Sequence, residues 1–270
     1  MIIESAAKSA NPASRLFRSA GRHAALLTAL ALVVAQHGPV HAATVTWGAP
    51  QNISGDSDVS TLGTLVQAAS IGSSDDVGST VNGVFFAPFV MNNGPSPNIS
   101  GHFTMSPGGS YIAGGNAFGA NAAPFNTLSN AYQTLLTFGD YTNTNDVTNL
   151  TMTGLTIGTN YLFEWWTNES QGVSPAPATI PVTATAGNVV TLQANTTASL
   201  GGTGQFAIGT FVADGTTQLI AFQGTPTASS SESAFLLRDV TGVPEPGTWT
   251  MFGLGLPALL GFRRCRPRTG

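Results

Sequence analysis

Charged side chains are scarce in this sequence, and the basic ones are almost confined to its two ends. They make up 8% of the 270 residues, against about 25% in a typical soluble domain. Between residues 43 and 242 the only lysine or arginine is Arg238, and eleven acids against this one base give a formal charge of −10. Binding to a phosphate backbone requires clustered basic side chains. The composition therefore excludes nucleic acid as a partner.

Lysine and cysteine are nearly absent. The only lysine is Lys8, so neither a phosphate-binding lysine nor a Schiff-base lysine can come from the middle of the chain. The only cysteine, Cys265, lies between arginines near the C-terminus. The middle segment therefore contains no disulfide and must be stabilised by its hydrophobic core.

Residues 1–42 have the pattern of an export signal peptide. Arginines precede an uncharged run at 24–35, as in the tripartite organisation of such signals. Val40 and Ala42 supply the small side chains that a signal peptidase requires, so we predict cleavage after Ala42, with cleavage after Ala43 as the alternative. As a helix, the run spans about 18 Å, which is short for a hydrocarbon core of about 30 Å. The implied partners are the Sec translocon and signal peptidase.

The segment 243–270 contains three features in a fixed order. They are Val243, Pro244, Glu245 and Pro246, then an uncharged apolar stretch at 249–262, then an arginine cluster at 263–268. The two prolines keep the backbone extended and accessible to a processing enzyme. The apolar stretch predicts a short transmembrane helix, whose arginines would remain cytoplasmic by the positive-inside rule.

In this order, the three features resemble the PEP-CTERM protein-sorting motif. The resemblance implies an exported protein of a Gram-negative bacterium that makes exopolysaccharide. It also implies a transient anchor in the inner membrane, processing by an exosortase-type enzyme, and a final location at the cell surface or in an extracellular biofilm matrix.

The segment 43–242 predicts an all-β domain, an antiparallel β-sandwich of jelly-roll type between the signal-peptide helix and the transmembrane helix. Short runs of β-forming residues alternate with turns rich in glycine, asparagine and proline, at a spacing typical of sandwiches. The predicted strands are 45–47, 64–71, 83–89, 102–105, 132–138, 149–154, 160–167, 182–186, 189–193, 205–212, 218–223 and 234–240. The segments 53–61 and 234–240 resemble the flanks of uncharacterised exported sandwich domains, which implies a fold and no activity.

The predicted strand 160–167 carries the strongest candidate for a ligand site. Strict alternation places Glu164 and Trp166 together on one of its faces. An exposed tryptophan beside a carboxylate can bind a sugar through ring stacking and hydrogen bonds. A carbohydrate-binding module for an extracellular polysaccharide is therefore the alternative function, and a loop that covers Trp166 is the competing interpretation.

Few residues of the middle segment fit a catalytic or metal site. Gly55-Asp56-Ser57 resembles the nucleophile turn of one hydrolase family, but the histidine base that this chemistry needs could only be His102, which is outside any matching pattern. We therefore predict no catalytic residue, no enzymatic activity and no cofactor, with a polysaccharide-modifying enzyme as the weaker alternative. Asp56 and Asp58 have the alternating spacing of calcium-loop carboxylates and are the candidate ligands of a structural calcium ion.

Overall fold

Short extended segments dominate the chain, as its runs of β-forming residues predict. The structure is a computed structural model and describes residues 43–72, 75–91, 97–106, 111–113, 118–141, 146–172, 181–225 and 230–243. Within these ranges the strands are β1 Thr46–Trp47, β2 Gln51–Asn52, β3 Thr64–Gly72, β4 Ser79–Val81, β5 Val84–Val90, β6 Asn98–Ser100, β7 Phe103–Ser106, β8 Tyr111–Ala113, β9 Gly139–Tyr141, β10 Val147–Thr153, β11 Asn160–Thr167, β12 Pro181–Thr185, β13 Val189–Gln193, β14 Gln205–Val212, β15 Thr217–Gln223, β16 Ser231–Glu232 and β17 Ala234–Asp239. The helix α1 is Asn130–Thr137.

Two large sheets and one small sheet form the fold. The larger sheet has the order β1-β14-β11-β17-β3-β5-β4, with β2 also paired to β14, and the smaller sheet has the order β13-β12-β15-β10-β7-β6. The third sheet is β16-β9-β8. Pairing is antiparallel except between β3 and β5, because the chain reverses through β4 before it returns beside β3. The all-β, antiparallel prediction is confirmed apart from this pair, and the jelly-roll connectivity stays a prediction.

Aromatic side chains fill the space between the larger and smaller sheets. Phe103 of β7 contacts Phe163 of β11 and Phe235 of β17, with ring centroids 6.5 and 5.9 Å apart. Trp165 of β11 and Phe222 of β15 approach to 4.8 Å. All five side chains are completely buried, and burial of apolar surface contributes about 25 cal/mol per Å². This core stabilises a domain that has no disulfide.

The larger sheet is covered on its second face as well. The helix α1 and the opening loop (residues 53–63) pack there. Together with β4 and β5 at the edge of the sheet, they contribute the buried apolar side chains Ile53, Val59, Val81, Val84, Phe86, Tyr132, Leu135 and Leu136. Side chains on both faces of β11 are therefore buried, from Tyr161 to Thr167. Because both faces of β11 are covered, its candidate ligand-binding residues Glu164 and Trp166 are buried.

The predicted strand 132–138 is wrong, because this segment forms α1. Ser129 caps the helix, and its hydroxyl accepts a hydrogen bond from the backbone N–H of Tyr132 at 3.1 Å, as polar caps do at helix starts. Tyr132, Leu135 and Leu136 are buried and have the three- and four-residue spacing of a helix face. Helical periodicity over a single turn resembles a short apolar strand, which explains the error.

The predicted signal peptide and the apolar stretch and arginine cluster of the C-terminal tail lie outside the described residues. Val40, Ala42, Pro244, Glu245 and Pro246 lie outside them as well. The signal peptide, its cleavage site and the domain boundaries stay predictions. Ala43, which would begin the mature chain after cleavage behind Ala42, is buried and packs in the core. None of the helices in the described ranges is long and apolar enough to cross a membrane, and the predicted helix 249–262 is not among them.

Candidate functional site at the C-terminal exit

The last strand, β17, is central in the larger sheet, between β11 and β3. Beyond it, the backbone N–H of Val240 donates to the carbonyl of Asn160 at 2.9 Å, and the N–H of Asn160 donates to the Thr241 hydroxyl at 3.0 Å. The N–H of Val243 then closes a turn on the carbonyl of Val240 at 3.1 Å. The chain is thus held in the fold up to the residue that precedes Pro244.

Arg238 ties this last strand to the opening loop. Its guanidinium donates hydrogen bonds to four successive backbone carbonyls, those of Ser60 (3.2 Å), Thr61 (3.2 Å), Leu62 (2.6 Å) and Gly63 (3.0 Å). The side chain is buried, and hydrogen bonds from a charged donor are about twice as strong as neutral ones. The one base between residues 43 and 242 therefore fixes the loop to the strand from which the tail emerges.

Glu164 lies on the same face of the larger sheet and is completely buried. The N–H of Ser60 donates to its Oε2 at 3.1 Å, while Oε1 has no hydrogen-bond partner. Burial raises the pKa of this carboxyl to about 8, aided by the charge of Asp58 and opposed by the Ser60 hydrogen bond and the charge of Arg238. At neutral pH the side chain therefore keeps its proton, as a group without full compensation must in a low-dielectric interior.

We expect the free energy of unfolding to fall as the pH rises from 5 to 8, and Glu164→Gln to flatten this dependence. The folded state keeps the Glu164 proton up to a pKa of about 8, whereas the ordinary value is 4.5, so the folded state binds one more proton than the unfolded state within that window. One such proton lowers the free energy of unfolding by up to about 1.4 kcal/mol per pH unit. Urea titrations of the full chain in a mild detergent at pH 5, 6.5 and 8 measure the slope.

The control for this titration is Glu169→Gln. The carboxyl of Glu169 is partly exposed, and its pKa is raised by burial, so its removal should flatten the slope less than Glu164→Gln does. Equal slopes for the wild type and Glu164→Gln would contradict the assignment of a buried, protonated Glu164.

Trp166 is completely buried beside Glu164. Its indole N–H donates to the Tyr132 hydroxyl at 2.9 Å, and its ring contacts Phe86 and Phe206 at centroid distances of 5.6 and 6.2 Å. Because α1 and the opening loop cover this face, no tryptophan surface remains for a sugar to stack on. The carbohydrate site predicted at Glu164 and Trp166 is therefore wrong, and the interpretation as a covered, packed residue is correct.

Asp56 and Asp58 connect the opening loop to α1. The carboxylate of Asp58 accepts hydrogen bonds from the N–H (2.7 Å) and the hydroxyl (2.6 Å) of Ser54 and from the Tyr132 hydroxyl (3.2 Å). Asp56 accepts one from the Ser129 hydroxyl at 2.6 Å. No group of three or more histidine, cysteine or acidic side chains suited to a metal occurs within the described ranges. Calcium binding by these two residues stays a prediction.

Sequence reasoning missed the centre of this network. Arg238 had a visible signal, since it is the only base between residues 43 and 242 and comes shortly before Pro244. Tyr132 had none, because its role depends on α1 lying across β11. The structure therefore brings Asp58, Glu164 and Trp166 together, but Glu164 and Trp166 are completely buried and Asp58 is half-buried.

Comparison with known proteins identifies the segment that follows this exit. Residues 242–266 match the PEP-CTERM protein-sorting motif, as the order of Pro244-Glu245-Pro246, apolar stretch and arginine cluster predicts. No curated protein and no solved structure matches the chain. The C-terminus of this chain is a PEP-CTERM protein-sorting motif, which marks it as an exported protein sorted by an exosortase-type enzyme.

Proposed function

We propose that this is a non-enzymatic structural protein of the cell surface or extracellular matrix of an exopolysaccharide-producing Gram-negative bacterium. In this proposal the tail is a transient inner-membrane anchor and an exosortase-type enzyme processes it. The observation that carries the proposal is the position of the sorting motif, which follows directly on a strand locked into the centre of the domain. In this proposal the tail directs sorting, and the domain is the part of the protein that is delivered to the cell surface or matrix.

The use of the polar side chains supports a structural role for the domain. Glu164 is buried beneath the opening loop, and Asp58 holds that loop to α1. The ring Nδ1 of His102 hydrogen-bonds to the carbonyl of Thr153 at 2.6 Å in the smaller sheet. These three side chains, which could serve as acid or base, are thus engaged in holding the fold. The burial of Trp166 removes the support for the carbohydrate-binding alternative on this strand.

The distance between the domain and the anchor is short. Five residues, 244–248, separate Val243 from the apolar stretch 249–262. At about 3.3–3.6 Å per residue they span at most about 18 Å when fully extended. Before processing, the acidic domain must therefore stay close to the membrane surface, and the processing enzyme must reach its motif within this gap.

Glu245→Ala should abolish processing of the tail. The motif presents this carboxylate between two prolines that keep the backbone extended, and no other acid occurs after Asp239. We expect at least a tenfold fall in the processed fraction. Intact-mass spectrometry of the protein isolated from its host measures this fraction.

Asp214→Ala, at an exposed acid within the domain, is the matched control and should be processed like the wild type. A host without its exosortase should reproduce the Glu245→Ala result. Wild-type processing of Glu245→Ala, or unprocessed wild-type protein in the culture medium, would overturn the proposal.

A further inference from the structure

Two carboxyl groups face each other inside the third sheet. Asp140 of β9 lies directly opposite Glu232 of β16 in an antiparallel pair. Directly opposite residues project to the same face of a sheet, with Cβ atoms about 4.5–5.5 Å apart. Both side chains have 0% exposure. The domain thus places two acids side by side in its interior.

Hydrogen bonds compensate these acids only in part. No donor group of the described residues forms a well-aligned hydrogen bond with the four carboxyl oxygens of Asp140 and Glu232. The main-chain N–H groups of Asp140 and Glu232 and the Ser230 side chain lie close enough to favour the charged forms weakly, and the two carboxyl groups are close enough to share a hydrogen bond. The carboxylates of Asp56 and Asp58, in contrast, accept bonds from the loop and from α1. Burial raises the pKa of both Asp140 and Glu232. Adjacent buried carboxylates are strongly unfavourable unless a positive charge lies between them.

In the part of the chain that the structure describes, no lysine or arginine is free to supply that charge. Arg238 is the only lysine or arginine between residues 43 and 242, and its guanidinium is engaged by the four carbonyls of the opening loop. The positive charge between Asp140 and Glu232 must therefore be a shared proton or a bound metal ion.

We propose that Asp140 and Glu232 bind one calcium ion, which would stabilise the third sheet. Two carboxylates balance the charge of a divalent cation, and calcium prefers oxygen ligands that can be mono- or bidentate. With two acidic ligands, main-chain carbonyls, hydroxyls and water would complete the usual six to eight oxygens. An affinity in the range of extracellular calcium modules, about 0.1–1 mM, is sufficient for an exported protein.

A calcium titration of the full chain in a mild non-ionic detergent tests this site. After treatment with EGTA at pH 7.5, addition of 10 mM CaCl₂ should raise the melting temperature of the wild type by about 3 °C or more, because a ligand bound only by the folded state stabilises it. Equilibrium dialysis with radioactive calcium should give one ion per chain. Asp140→Asn and Glu232→Gln should each lose the shift and the bound ion. Both neutral isosteres remove the charge repulsion and should fold without calcium.

The double variant Asp56→Asn/Asp58→Asn is the matched control and should keep the calcium response. Three results would overturn the proposal. The first is an equal melting temperature of the wild type in calcium and in EGTA. This result would mean that a shared proton, and not a metal ion, lies between Asp140 and Glu232. The second is a response lost in the loop variant and kept in Asp140→Asn, which assigns the ion to the opening loop. The third is a thermal shift without bound radioactive calcium.

Discussion

Replacing Arg238 with methionine should lower the free energy of unfolding by about 3–5 kcal/mol. The variant keeps the aliphatic stem but loses four hydrogen bonds to the carbonyls of the opening loop. Urea unfolding of the full chain in a mild detergent, followed by tryptophan fluorescence, measures the loss.

Two further variants separate charge from geometry at this position. Arg238→Lys keeps the charge, but an ammonium group cannot reproduce the planar fork of the guanidinium, so we expect an intermediate loss. Asp239→Asn, at the partly exposed neighbour, should cost less than about 1 kcal/mol, as surface changes usually do. If Arg238→Met stays within about 1 kcal/mol of the wild type, the four bonds do not stabilise the fold.

Truncating Trp166 to alanine should cost about 3–5 kcal/mol, as expected for a large buried aromatic. The ring packs against Phe86 and Phe206, and its N–H is the donor to the Tyr132 hydroxyl. Its removal leaves a cavity between the larger sheet and α1. The same urea titration measures the effect.

Trp166→Phe tests the two contributions separately. It keeps most of the packing and removes only the hydrogen bond to Tyr132, so a loss of about 1–2 kcal/mol is expected. A Trp166→Ala protein as stable as the wild type, with altered binding to polysaccharide, would restore the surface interpretation that the structure contradicts.

Local patterns were sufficient to predict most of the strands. The predicted bounds of β11, β13 and β14 agree with the structure to the residue, because strict alternation and flanking turn residues are encoded within a few positions of the chain. The short strands β2, β4, β6, β8, β9 and β16 were missed, since two to three residues carry too little periodicity to be recognised.

The two errors of the sequence prediction have one cause. The segment 132–138 was assigned to a strand, and the helix that it forms is the element whose Tyr132 covers Trp166. Without that helix, the second face of β11 was open to solvent, and Glu164 and Trp166 became a surface site. The two-residue alternation of β11 was sufficient to predict the strand. It could not predict what packs on the strand, because packing depends on distant parts of the chain.

The remaining interactions depend on contacts between distant residues. Arg238 and the four loop carbonyls are separated by 175 to 178 positions in the sequence. Asp140 and Glu232 meet only because β16 pairs with β9. The scarcity of basic residues in the middle segment marks Arg238 as a candidate for a specific role, but only the fold shows which groups it contacts.

The central place of β17 also governs when the domain can fold. Before this strand arrives, the larger sheet is divided into β1-β14-β11 and β3-β5-β4, and pairing across so long a stretch of chain is intrinsically slow. In the proposed route, export from the N-terminus delivers β17 last, shortly before the tail that is to be processed. Closure of the larger sheet and exosortase processing would then compete in time. Cleavage before closure would release an unfinished domain, and cleavage after closure releases a native one.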